Sequence, residues 1–298
     1  MKLNELSVKD KEIFCKYLGL KPHDLSVYSF TNIYIWNKLF DIKWQFIEGS
    51  LCIFFRDSIG CFLYLAPLGE SITPDTVKNA FLIMDSFNKN REISRIENIE
   101  EDDAAFYQGL GFECRIKSYD YVCGRRDLAC LKGDRFRHKR ACLNYFLKHN
   151  QFDDLEFCLK DETGCLKLYK LWMEQRKAVA QDPVYLGMMQ DSFKSLKALL
   201  ENYRHLDIMG RVVKINKEIK AFSFGFKLNQ ETFCILYEIT DLSVKGLAQF
   251  IFQRFSSELN DYKFINIMDD SDLENLKKVK LSYRPIKLIP SFIATRNA

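Results

Sequence analysis

The chain contains no Cys-x-x-Cys pair, no Gly-x-x-x-x-Gly-Lys-Ser/Thr loop and no Gly-x-Ser-x-Gly elbow. Their absence removes the nucleotide P-loop and the hydrolase nucleophile elbow from consideration. The ten cysteines are scattered singly from Cys15 to Cys234, several within apolar runs, such as Cys52, Cys61 and Cys234. They read as reduced core thiols rather than a disulfide framework. There are only four histidines, His23, His138, His149 and His205. His138 and Cys142 lie one helical turn apart, but two ligands do not make a zinc site, and no metal is expected. No apolar run approaches the ~18 residues that a membrane span needs. The start, Met1-Lys2-Leu3-Asn4-Glu5-Leu6, lacks an apolar h-region, so no secretory signal is expected. A one-signed charge is missing as well. Residues 1–150 hold 22 of the 44 Lys/Arg and 20 of the 40 Asp/Glu, and the remainder holds the same numbers. That balance excludes a protein dedicated to duplex DNA, which carries a broad positive field.

What is present is ample apolar material: 47% hydrophobic residues, with 25 Phe and 14 Tyr among 298 residues. The length favours two folded units of about 150 residues. Local charge is the other feature. In Lys132-Gly-Asp-Arg-Phe-Arg-His-Lys-Arg140 five of nine residues are Lys or Arg. As a helix from about Asp134, this segment places Phe136, Leu143 and Leu147 on one stripe, with Arg137, Arg140, Asn144 and Lys148 on the adjacent face. It is either a solvated helix or a local anion clamp.

The periodicity predicts an ordered succession. Ser7 caps a helix over Val8–Leu18 with Gly19 past its end, and a second helical pattern runs from about Leu25 to Phe40. Strands follow at Lys43–Ile47, Leu51–Arg56 and Cys61–Ala66, then a helix opened by Thr73-Pro74 and running to about Phe87. A strand at Ser94–Ile99, an acidic helix start at Glu100–Asp103 and a strand near Tyr119–Val122 complete the first half. The second half offers helices from Glu162 to about Arg176 and at Asp191–Asn202. Strands follow at Ile208–Ile215, Ile219–Lys227 and Thr232–Thr240, then a helix from Val244 to Leu259, a strand at Phe264–Met268, a helix at Asp272–Val279 and an extended Tyr283–Phe292. Ile96-Glu-Asn-Ile99 and Phe264-Ile-Asn-Ile267, each followed by acids and a helix, suggest one α+β unit used twice. The expected division is 1–131, a basic junction helix 132–150, and 151–298.

Ala104-Ala-Phe-Tyr-Gln-Gly-Leu-Gly-Phe112 resembles the ending of the GNAT acyltransferase fold. Leu131-x-Gly-x-x-Phe136-x-x-Lys139-Arg140, Asn266-x-x-Asp269-Asp270 and Leu276-x-x-x-Lys280-Leu-Ser282-Tyr283-x-Pro285 resemble the bacterial family related to the C-terminal domain of phosphatidylglycerol lysyltransferase. The aromatic stretch Tyr28-x-Phe-x-Asn-x-Tyr-x-Trp36 is similar to that family's N-terminal half. Ala141, Ile267-Met268, Asp272 and Lys277 depart from its pattern.

The resemblance implies two tandem GNAT-like domains, each a mixed, mostly antiparallel sheet flanked by helices, the second carrying the site. It implies transfer of an aminoacyl group from aminoacyl-tRNA to a lipid or another amine or hydroxyl acceptor. The partners would be a tRNA acceptor end or an anionic lipid surface, and the location cytoplasmic, with peripheral contact at the inner membrane face left open. Ser243, Lys245, Gly246 and Ala248 fall where GNAT enzymes hold a pyrophosphate, since small residues and a helix N-terminus favour phosphate. Asp269 and Asp270, at a strand end, are candidate proton acceptors, with Glu238 and Asp241 as alternatives. Lys280 and Tyr283 could face the acceptor or the carrier. Arg137, Lys139 and Arg140 could hold carrier phosphate. Two other readings stand beside this one: a non-catalytic module of degenerate transferase fold that binds anionic lipid, tRNA or protein, and an acetyl-CoA-dependent N-acetyltransferase.

Overall fold

The computed structural model describes residues 3–178 and 182–297. These divide into two compact units: Met1–Asp120 with Asp269–Asp272 and Ile289–Ala298, and Tyr121–Met268 with Leu273–Leu288. Both are α+β. The expected boundary at residue 131 therefore lies at 120, and the basic helix belongs wholly to the second unit.

In the first unit β1 (Asn4–Glu5) precedes α1 (Lys11–Leu18), which is entered through a 3-10 turn, Val8–Asp10, capped as predicted by Ser7 in a capping box with Asp10. The second helical pattern is much shorter than expected, with α2 at Phe30–Tyr34 and a 3-10 turn at Ile35–Lys38. The backbone ahead of it is already engaged: Ser26 N donates to Asp120 at 2.6 Å and Tyr28 N to Leu25 O. β2 (Asp41–Ile47), β3 (Ser50–Arg56) and β4 (Cys61–Leu63) form an antiparallel meander. α3 (Pro74–Phe87) carries Pro74 at its start and a Thr73 cap. β5 (Arg95–Glu100) lies parallel to β4, and α4 (Glu101–Gly109) opens on three acids, which complement the helix dipole. Phe14 packs edge-on against Phe30 and Trp44 at the centre of this core.

β6 (Phe112–Gly124) is longer than the segment predicted near Tyr119–Val122. α5 (Arg125–Cys130) and α6 (Arg137–His149) follow it, then β7 (Asp153–Glu156), α7 (Glu162–Lys177) and α8 (Pro183–Glu201). α8 begins eight residues earlier than its apolar pattern suggests, because Asp182 accepts from Val184 N and Pro183 is preset for the first turn. β8 (Met209–Ile215), β9 (Glu218–Lys227) and β10 (Thr232–Thr240) form the second antiparallel meander. α9 (Leu247–Glu258), β11 (Phe264–Asn266), α10 (Glu274–Leu281) and β12 (Lys287–Arg296) end the chain. β11 runs parallel to β10, as β5 does to β4.

The repeat is thus real, and its closing strands are exchanged. Within the first unit the strand antiparallel to β5 is β12, the last of the chain. Within the second, the strand antiparallel to β11 is the end of β6, Val122–Gly124. Arg296 fixes β12 to α3 through two 2.9 Å bonds to the Asp85 carboxylate. Among the described residues, no helix is long and apolar enough to cross a membrane.

Candidate active site in the second unit

The β10–β11 pairing covers only Thr232–Cys234, while β10 continues to Thr240 beyond a register shift between Ile235 and Tyr237. Past the shift, the strand retains β9 on one side and has left β11 on the other. Glu238 lies there, a lone acid in an otherwise apolar strand. It keeps part of its surface to solvent. Its carboxyl is nonetheless packed round by protein, and burial pushes it up to about 8 against the pull of the Lys139 and Lys280 ammonium groups.

Lys139 comes from α6. It is 8% exposed, unlike its exposed neighbours Arg137 and His138. Its Nζ lies 3.3 Å from the centroid of the Tyr283 ring and donates to Ser282 Oγ at 2.8 Å. Burial pushes the Lys139 ammonium down to about 8, although Glu238 favours its charge. Lys280, at the end of α10, donates to the Ile267 carbonyl and lies 5.9 Å from the Tyr121 ring. Tyr283 packs on Phe252 at 4.3 Å within a cluster that includes Tyr121, Cys123 and Ile267. Its hydroxyl is pushed well above the usual range, first by burial and then by Glu238, so it stays protonated. Two amines thus lie within electrostatic reach of one acid, Lys139 on the Tyr283 ring and Lys280 near that of Tyr121. There, charge interactions are stronger than in water.

The other candidates are placed differently. Arg140 donates to the carbonyls of Leu131 and Gly133, fixing the turn where Leu131 takes a left-handed φ of 49°. Only Arg137 of the predicted phosphate trio is held on the exposed face. Gly246 has a φ of 83°, and a Cβ built there would lie 2.1 Å from the Cys142 carbonyl oxygen. The small residue admits the backbone of α6 at this point. Ser243 is turned onto Asp241, donating through both its amide and its hydroxyl. Burial alone would raise the Asp241 carboxyl; bonds from Ser243, Gln175 and Lys220 hold it down at about 2. Lys245 Nζ lies 4.5 Å from the Tyr145 ring, and Ala248 is part-buried in the first turn of α9. The predicted quartet Asp269, Asp270, Lys280 and Tyr283 is divided. The two acids group with the first unit and accept bonds within their own turn, from Ser271 Oγ at 3.4 Å and Asp272 N at 3.1 Å. Lys280 and Tyr283 group with the second. Tyr121 was not singled out from the sequence, and Ser282 entered only as part of the motif that joins Lys280 to Tyr283. Among the described residues, no group of three or more His, Cys, Asp or Glu could hold a metal ion.

The sequence pattern described as phosphatidylglycerol lysyltransferase, C-terminal, matches residues 20–295. The chain belongs to that family. Comparison with curated proteins gives no match. Among solved structures, the chain is similar over its whole length to all of a conserved protein of unknown function from Bacteroides thetaiotaomicron, with 22% identity and a TM-score of 0.87. It is similar over 98% of its length to 93% of L-PGS from Bacillus licheniformis, at 14% identity and a TM-score of 0.68. It is also similar over 99% of its length to 97% of FemX, at 11% identity and a TM-score of 0.60. At these identities the likeness is one of fold.

Proposed function

We propose that this chain is an aminoacyltransferase whose acid–base centre is Glu238, assisted by Lys139 and Lys280. Family membership supports the reaction class. The observation that carries the reading is the buried Lys139 ammonium, seated on the Tyr283 ring and on Ser282 Oγ and close enough to Glu238 for each to act on the other's charge. The acceptor's amine or hydroxyl attacks the ester carbonyl of a charged tRNA, forming the new amide or ester bond. The Glu238 carboxylate takes the proton released by the attacking group. The Lys139 and Lys280 ammonium groups balance the oxyanion. On collapse the bond to the carrier oxygen breaks, and that oxygen leaves with the proton from Glu238. Tyr283 holds Lys139 by a cation–π contact.

The test is to incubate the protein separately with a mixture of charged tRNAs and with acetyl-CoA, each with anionic lipid and soluble amine acceptors. The expected outcome is accumulation of deacylated tRNA together with aminoacylated acceptor. Turnover with acetyl-CoA alone would replace the proposal with an N-acetyltransferase. Retained tRNA or lipid binding without turnover of either donor would replace it with the binding module.

A further inference from the structure

The first unit carries a partly open cavity of about 270 Å³, separate from the residues assigned to transfer. It lies between the turn after α1, the loop after β4, and α4. Four aromatic side chains line it, Tyr17, Tyr28, Phe106 and Tyr107, together with two carboxylates, Glu70 and Asp103. Behind them Glu100 is held by three donors: His23 Nδ1 at 2.9 Å, Lys21 Nζ at 3.2 Å and the Asp24 amide at 3.2 Å. His23 is 4% exposed and stacks on Tyr28 at 4.1 Å, so this wall is closely packed.

The charge of the cavity runs against that of the chain. The protein carries a formal +4, yet here Glu70 and Asp103 stand against one lysine, Lys21, among the described lining residues, with Glu100 behind them. Burial alone would raise the Glu100 carboxyl; His23 and Lys21 hold it below the usual range. The Lys21 side chain shows what the wall accepts. It is 46% exposed, and its ammonium sits between Asp103 Oδ2 at 2.8 Å and Glu100 Oε2 at 3.2 Å. A carboxylate pair beside aromatic rings holds an organic cation by a charged hydrogen bond at one end and ring contacts along the rest.

We infer that this cavity binds a small alkylammonium compound, its charge taking the place of the Lys21 ammonium at Asp103 and its carbon chain lying on Tyr28, Phe106 and Tyr107. The volume is below that of sites for drug-sized ligands, which limits the occupant to a short chain. Because the cavity lies in the first unit and shares no residue with the Glu238 site, the inference stands or falls separately from the transfer reaction.

Calorimetric titration of the full chain with n-butylammonium, and with butyrate as the isosteric anion at equal ionic strength, tests it. Saturable binding of n-butylammonium and none of butyrate is expected. Asp103→Asn is expected to weaken binding by about tenfold or more, the loss of one charged hydrogen bond. The exposed Glu70→Gln, which does not threaten folding, is expected to weaken it less. Lys21→Met removes the internal competitor and is expected to tighten binding severalfold. Butyrate binding as tightly as n-butylammonium would overturn the inference. So would Lys21→Met weakening the interaction, or no saturable binding by either the parent or Lys21→Met.

Discussion

At the scale of single residues, the account turns on Glu238 and Lys139. Neutral Gln at 238 cannot accept a proton, so Glu238→Gln is expected to slow transfer by about 10²–10⁴-fold. The same substitution has a predicted effect on stability. The folded-state pKa of Glu238 lies above its unfolded value of about 4.3. The stability held in its protonated form is therefore complete below that value and is lost as pH rises through about 8. Gln stays neutral throughout, so the melting temperature of Glu238→Gln minus that of the parent is expected to grow from pH 5 to pH 9. A flat difference would show that the carboxyl is not buried as described. Arg140 has a different role. It satisfies two loop carbonyls, so Arg140→Ala is expected to lower the melting temperature by several degrees, read by calorimetry, through the loss of about 1–3 kcal/mol. The sequence showed a run of like charges. It could not show that Lys139 turns inward and Arg140 onto its own loop, because helical spacing fixes direction around the helix and not what the helix packs against.

At the scale of elements, α6 and α9 meet at Gly246. There a methyl group would both enter the Cys142 carbonyl and require a left-handed conformation. Gly246→Ala is expected to cost at least about 1–3 kcal/mol, measured by denaturant unfolding. Had the glycine served only a phosphate, stability would be unchanged and donor binding alone would fall. Most elements were legible: Ser7 and Thr73-Pro74 carry their own start signals. α2 shrank because Ser26 and Tyr28 commit their amides elsewhere, a tertiary cause that no local pattern records. Glu238 was legible only as an alternative proton acceptor to Asp269 and Asp270. Its importance was not, since that depends on where β11 stops pairing.

At the scale of the whole chain, the doubling of one α+β unit could be read from Ile96–Ile99 and Phe264–Ile267, and the family from motifs between Tyr28 and Pro285. The exchange of closing strands could not be read, because an apolar alternation states that a segment is a strand without naming its partner. β12 completes the first unit, whose other strand residues all precede residue 121. Removing residues 287–298 is therefore expected to unfold the first unit, seen as loss of its protection from amide exchange from β2 to β5. Retained protection there would show that β12 is dispensable.

The most direct test of the central claim is the pH dependence of single-turnover transfer from charged tRNA, compared between the parent and Glu238→Gln. The account predicts a bell-shaped profile centred near 8, rising as the Glu238–Lys139 pair gives up its first proton and falling as it gives up the second, with apparent values that belong to the pair. It predicts a rate for Glu238→Gln lower by about 10²-fold or more with no rising limb. Equal rates and matching profiles for the two proteins would contradict it.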